Sequence, residues 1–446
     1  MKNILILLSF LLVASAATGQ NFEILSLKEQ AEVRDSWLKE RFKQVTPSLM
    51  RREGIDMWLV ISREYNEDPV MKTMLPATWL SARRTTMLVM YDNGREIETY
   101  SVARYDVGEI FKKSWDPEKQ PDQWKRLAEI IIEKNPRKIA INKSANFGHA
   151  DGISSFHHDK LMESIPANFK SRVVSAEKLA VGWLEKRIPE EMAAYRHIMR
   201  IAHEIIAQGF SEEVITPGVT KTEDVVWWYR EKISSLGLSA WFHPTVDVQR
   251  GEVDSNEAQR EFSRRPDNSI IQPGDLVHVD FGISYLGLHT DTQENAYICR
   301  IGEHDAPPYL KEAFNQGLKL MDFLTDAFQD GKTGNEVLKE ALTKAVAAGL
   351  KPSIYSHPIG FHGHGAGPTI GLWDQQGGVP ITGDYQITPG TAYSIELNTR
   401  VFIPEWNKEI RMMMEEDAYF DGKKVSYIDG RQVNYFLIPR PKSTWK

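Results

Sequence analysis

The feature that most constrains this chain is the run HVDFGISYLGLHTDTQ, residues 278–293. It reads as two strands around a turn at Ser284 to Gly287, with Asp280 on one arm and Asp291 on the other. The turn centre falls midway between the two aspartates. An antiparallel hairpin of that register sets them opposite each other with both side chains on one face. His278 and His289 share the face through the two-residue strand period. Asp280 stands between Val279 and Phe281 in DLVHVDFG, which is too apolar for a solvated edge. Two carboxylates in such a place are costly unless a cation neutralises them.

Acidic residues interrupt apolar strands at two further places. Glu396 lies in TAYSIELN, and Glu415 lies in IRMMMEEDAYF with Glu416 as its alternative register. Acids in four apolar strand contexts point to a carboxylate-lined metal centre. Oxygen-rich ligation favours Mn²⁺, Fe²⁺ or Co²⁺, with Zn²⁺ also compatible. Two ions held by such carboxylates would supply a hydroxide as a nucleophile. The segment SHPIGFHGHGAGPTIGLWDQQ, residues 356–376, adds His357, His362 and His364, three of the chain's 12 histidines.

The remaining sequence bounds the context. The chain has 446 residues, enough for two or three domains. Its net charge of -7, with no basic block, argues against nucleic acid as a partner. Residues 1–19 read as a secretory signal peptide: Lys2, an apolar stretch from Ile4 to Val13, then small residues up to Gly19. The stretch is short for a membrane span, so the mature chain is expected in the periplasm or medium without a membrane anchor. Cys299 is the single cysteine, which excludes an intrachain disulfide.

Short apolar runs at 56–62, 85–92, 96–102 and 138–144, with a helical stretch at 121–135, predict a small α/β domain. After a junction near 176–191, one helical face carries Tyr195, Ile198, Ala202, Ile205 and Ile206. Thr220 with Glu223 reads as a capping box for the next helix. Two echoes suggest a duplicated unit. GVTKTEDVVWWYREKISSLGL resembles GKTGNEVLKEALTKAVAAGL, and Asp280 and Glu396 each follow a Pro-Gly pair, six residues after Gly274 and Gly390.

On these residues the chain resembles the pita-bread metallopeptidases: prolidase, Xaa-Pro aminopeptidase and methionine aminopeptidase, with creatinase as a relative. Asp280 and Asp291 match the family's aspartate pair, eleven residues apart, and Glu396 and Glu415 its two glutamates. The resemblance implies an α+β fold. A pita-bread catalytic domain with an internal pseudo-twofold repeat covers 188–446, and a smaller creatinase-type α/β domain covers 20–180. It also implies two metal ions, a metal-bound hydroxide, a homodimer and a small peptide or amide substrate.

The histidine region departs from the family. Matching GHG makes His364 the metal ligand, with His362 as the alternative, while a gap-free match would put Pro368 there. Gln375 takes the place of the second histidine, where it can hydrogen-bond an oxyanion but cannot transfer a proton. Glu396 is expected to relay the proton. His243, His357 and His362 are expected along the substrate wall. The leading expectation is a metal-dependent exopeptidase acting on Xaa-Pro bonds, like an aminopeptidase or a prolidase. The alternatives are a creatinase-like hydrolase of a small amide or amidino compound, and a catalytically silent binding protein.

Overall fold

The strand Met57–Arg63 is buried along most of its length and forms the middle of a six-stranded sheet. It pairs antiparallel with Thr85–Asp92 and parallel with Ile139–Ile141. Such a mixed sheet needs helices on its faces. Gln123–Lys134 supplies one, started by Asp122, whose carboxylate accepts the Trp124 and Lys125 N–H groups. The chain is described here from a computed structural model over residues 23–251 and 268–440. The expected signal segment lies outside the described residues. Among those residues no helix is long and apolar enough to cross a membrane.

The second unit is a nine-stranded sheet. Its spine is the hairpin of Thr391–Ile403 and Lys408–Phe420, paired along its whole length. Thr292–Ile298 lies between Lys408–Phe420 and Leu276–Phe281, and Thr245–Gln249 follows at the edge. The helix Pro189–Gly209 packs against the sheet through the predicted face, with Tyr195, Ile198, Ala202, Ile205 and Ile206 all buried. Pro189 occupies its first turn, where the missing N–H costs nothing.

The two Pro-Gly echoes share a local geometry. Gly274 and Gly390 both have left-handed φ values, +96° and +82°, and each N–H meets a carbonyl of the neighbouring strand. Two details differ from expectation. The helix Thr222–Ser235 starts one residue later than a Thr220 cap requires, and Asp224 accepts the Lys221 N–H at 2.9 Å. The Thr220 hydroxyl is engaged instead by the Thr216 N–H.

A buried charge cluster links the helices Leu27–Gln44 and Pro189–Gly209. Arg41, on the helix Leu27–Gln44, contacts both oxygens of Glu191 at 3.1 and 3.0 Å, and Arg187 approaches Glu191 at 3.4 Å. Both guanidinium groups also lie over the Phe361 ring, at 4.7 and 4.4 Å. The histidine loop is thereby held at Phe361.

Glu185 lies close by, at the end of the helix Glu177–Glu185. It is buried, and its Oε2 has no hydrogen-bond partner. Burial pushes its carboxyl up to about 7. A raised carboxyl contributes stability that is complete below the unfolded value and disappears as pH rises through the folded one. Glu185→Gln should therefore leave stability nearly unchanged at pH 4.5 and raise it by ~3 kcal/mol at pH 8. Denaturant melts at the two pH values check this, and equal changes at both would contradict it.

Candidate metal centre

One lateral row of the sheet carries the chemistry. Asp280 is opposite Gln293, Gln293 is opposite Glu415, and Glu415 is opposite Glu396. Directly paired residues project to the same face, so four neighbouring strands present Asp280, Gln293, Glu415 and Glu396 together. Asp291 precedes Gln293 by two residues and joins the same group. Oxygens of Asp280, Asp291 and Glu415 all lie within 4.8 Å of one another.

The register that produces this row differs from the sequence expectation. The turn consists of Leu286 and Gly287, with φ of +55° and +80°, so Tyr285 pairs with Leu288 and Ser284 with His289. Two left-handed residues form the tight turn that suits strand twist. The hairpin centre moves accordingly, and Gln293, not Asp291, stands opposite Asp280. The aspartates still converge, because the displacement is one full strand period and leaves Asp291 on the same face.

Gln293 is the residue that sequence reasoning missed. Its amide nitrogen donates to Glu396 Oε1 at 2.9 Å and to Glu415 Oε2 at 2.7 Å. Its carbonyl oxygen lies 2.9 Å from the Nε2 of buried His278, which must be the donor. The signal was available: Gln293 follows Asp291 by one strand period. The Ser394 hydroxyl also donates to Glu415, and the Asp291 N–H donates to Asp417 at 3.3 Å. Burial, and after it the charges of neighbouring carboxylates, hold Asp291 and Glu415 well above the usual carboxylate range.

Glu415 and Glu416 face opposite sides of the sheet. Glu415 joins the carboxylate row, whereas Glu416 lies 2.9 Å from His203 Nε2 on the Pro189–Gly209 helix.

The histidine stretch divides three ways. His357 begins the short strand His357–Ile359 and is buried. Its Nδ1 is 3.1 Å from the Pro358 carbonyl, so that nitrogen carries the hydrogen. Burial, and then His364, push it down to about 3, which leaves it neutral. The Nε2 lone pair consequently points into the site without a hydrogen-bond partner, 4.0 Å from Asp291 Oδ2. It also groups with Glu396 and Glu415. A buried lone pair facing carboxylates is unfavourable on its own and suits a cation between them. The residues present therefore fit a divalent metal.

His364 groups with Asp291 and His357 but is exposed, its ring 4.8 Å from that of His357. His362 turns elsewhere. Its ring lies 4.3 Å from that of His149 in the N-terminal unit, and it lines a cavity of about 370 Å³ with Arg34, Lys72 and His289. Two expected site residues stand apart. His243 is exposed, bonded to Arg230 at 3.0 Å and packed on Trp227. Gln375 closes a turn through its N–H to the Leu372 carbonyl, and its side chain makes no hydrogen bond among the described residues. His289 donates to the Gly360 carbonyl, which ties the hairpin to the histidine loop.

Residues 196–420, half of the chain, match the model of metallopeptidase family M24. The chain belongs to this family. The matched span contains every residue of the carboxylate row and both neighbouring histidines. No curated protein matches the chain by sequence.

Solved structures share its fold along nearly its whole length. An X-Pro aminopeptidase from Thermotoga maritima is similar with a TM-score of 0.62 at 14% identity, covering 87% of this chain and 99% of its own. An Xaa-Pro dipeptidase from Bacillus anthracis gives 0.56 at 16% identity over 92% and 100%. A prolidase from Pyrococcus horikoshii gives 0.53 at 14% identity over 91% and 99%. In this family member the six-stranded α/β unit thus precedes the matched catalytic span.

Proposed function

We propose that this chain is a metal-dependent exopeptidase that cleaves Xaa-Pro bonds in small peptides. The observation that carries the reading is the neutral, buried His357, whose free Nε2 faces Asp291 within a row of buried carboxylates. Asp280, Asp291, His357, Glu396 and Glu415 would hold one or two divalent ions, of which manganese, cobalt, iron and zinc all suit the donor set. When bound, such ions supply a nucleophile at neutral pH and polarise a carbonyl.

The chain's own residues supply positioning and proton transfer. Glu396 is half-buried, and its Oε1 is pinned by the Gln293 amide. Its other oxygen is the candidate to carry a proton to the departing proline nitrogen. His364, at the exposed edge, would in this reading meet the scissile carbonyl oxygen. In this reading His357 is the ligand and His364 faces the substrate, the reverse of their sequence-based roles. Gln375 takes no part. The leader-like residues 1–19 support export, and a homodimer accords with the family resemblance.

A peptide panel tests the specificity. Xaa-Pro dipeptides and longer peptides with proline in the second position should be cleaved, and the same peptides with alanine in place of proline should not. Equal cleavage of both sets would contradict the Xaa-Pro assignment. Turnover of small amides or amidines alone would favour the creatinase-like reading.

A further inference from the structure

The opposite face of the same strands carries a second cluster that the catalytic reading does not use. Glu294 follows Gln293, and Glu416 follows Glu415, so strand alternation sends both behind the sheet. There they meet His203 of the Pro189–Gly209 helix. His203 Nε2 is 2.9 Å from Glu416 Oε2 and 3.9 Å from Glu294 Oε1. One ligand atom from each of the three lies within 4.8 Å of the others. We propose that His203, Glu294 and Glu416 form a divalent-cation site on the back of the catalytic sheet, distinct from the front centre.

The surrounding contacts prepare His203 as a ligand. Its Nδ1 lies 3.2 Å from Asp429 Oδ2. Asp429 is itself fixed by Arg200, which donates at 2.6 and 2.7 Å, and Arg196 stands 3.7 Å away. A carboxylate that accepts one imidazole N–H fixes the ring and leaves the other nitrogen for a metal. Glu416 has its second oxygen engaged by the Gln432 N–H at 2.9 Å.

A metal-free alternative is an imidazolium shared between Glu416 and Asp429. It accounts for His203 but not for Glu294. Glu294 is only 4% exposed, and its Oε2 has no hydrogen-bond partner. Ionised, it would share with Glu416 the single charge of His203, which stands 3.9 Å from Glu294 and 2.9 Å from Glu416. Protonated at that oxygen, it would hold an O–H donor without an acceptor. Either state is costly in the interior. A divalent ion between the three groups would balance two carboxylates and give Glu294 a cationic partner. One nitrogen and carboxylate oxygens suit Zn²⁺ or Mn²⁺. Such an ion would fasten the Pro189–Gly209 helix to the strands that carry Gln293 and Glu415, a bracing role that does not depend on the substrate of the front site.

The test uses full-length protein with the front centre weakened by Asp291→Asn, stripped of metal and titrated with Zn²⁺ by calorimetry. The number of bound ions is confirmed by elemental analysis. Asp291→Asn should bind one more equivalent than the double variant Asp291→Asn/Glu294→Gln, and zinc should raise its melting temperature by several degrees more. Equal stoichiometry in the two proteins would overturn the site. If the Glu294→Gln protein does not fold, His203→Gln in the same background gives the same comparison with the same two outcomes.

Discussion

Asp291→Asn should lower hydrolysis by at least ~10³-fold and, in the same protein, make the metal-free chain more stable. Both effects follow from one arrangement. Asp291 lies within 4.8 Å of Asp280 and Glu415 oxygens in a buried site. With a cation present, the carboxylate is a ligand, and losing it removes the charge that holds and orients the ion. Without a cation, it is a like charge among like charges, held well above its ordinary range. An uncharged isostere relieves that repulsion, with an expected gain of ~1–3 kcal/mol. Wild type should therefore melt lower than the variant in chelator and higher in saturating metal, because an ion that binds only the folded state stabilises it by mass action. Thermal melts of the two proteins with and without Mn²⁺ check the crossing. A variant less stable under both conditions would mean that Asp291 has only a structural role.

The second large effect separates the two neighbouring histidines. His357→Ala should weaken metal binding by about 100-fold or more, because it removes a buried lone pair whose direction is set by the Pro358 carbonyl. His364→Ala should leave metal affinity within about threefold and lower kcat instead, by roughly 10²-fold, as expected for a group that meets the reacting carbonyl. Metal titrations and steady-state rates on both variants read this directly. If His364→Ala loses the metal and His357→Ala keeps it, their roles are exchanged and the sequence-based assignment of His364 as ligand stands.

Much of the carboxylate row is legible in the amino-acid sequence, because strand periodicity is rigid. Asp280, Glu396 and Glu415 each interrupt an apolar run, and the face that a strand residue occupies is fixed by parity. That is why a misplaced turn does not separate Asp280 from Asp291. Locating the turn at Leu286–Gly287 requires knowing that Leu286 adopts a left-handed φ, which a leucine does not advertise. Parity also separates Glu415 from Glu416, but only once Glu415 is known to oppose Glu396. The histidines are least legible. A loop rich in glycine has no period, and the positions of His357, His362 and His364 depend on distant partners. Phe361 is held under Arg41 and Arg187, and His362 meets His149 from the other unit. Gln293 escapes a search for charged ligands because an amide carries no charge, although its two hydrogen bonds join both glutamates.

The most direct measurement follows an Xaa-Pro peptide through removal and return of metal. Protein stripped by chelator and passed through a desalting column should show no hydrolysis above background. Adding Mn²⁺, Co²⁺ or Zn²⁺ should restore kcat/KM in proportion to the ion bound, and Asp291→Asn should not respond. Undiminished hydrolysis by protein shown to be metal-free, or failure of every ion to bind at the row of Asp280, Asp291, Glu396 and Glu415, would contradict the account.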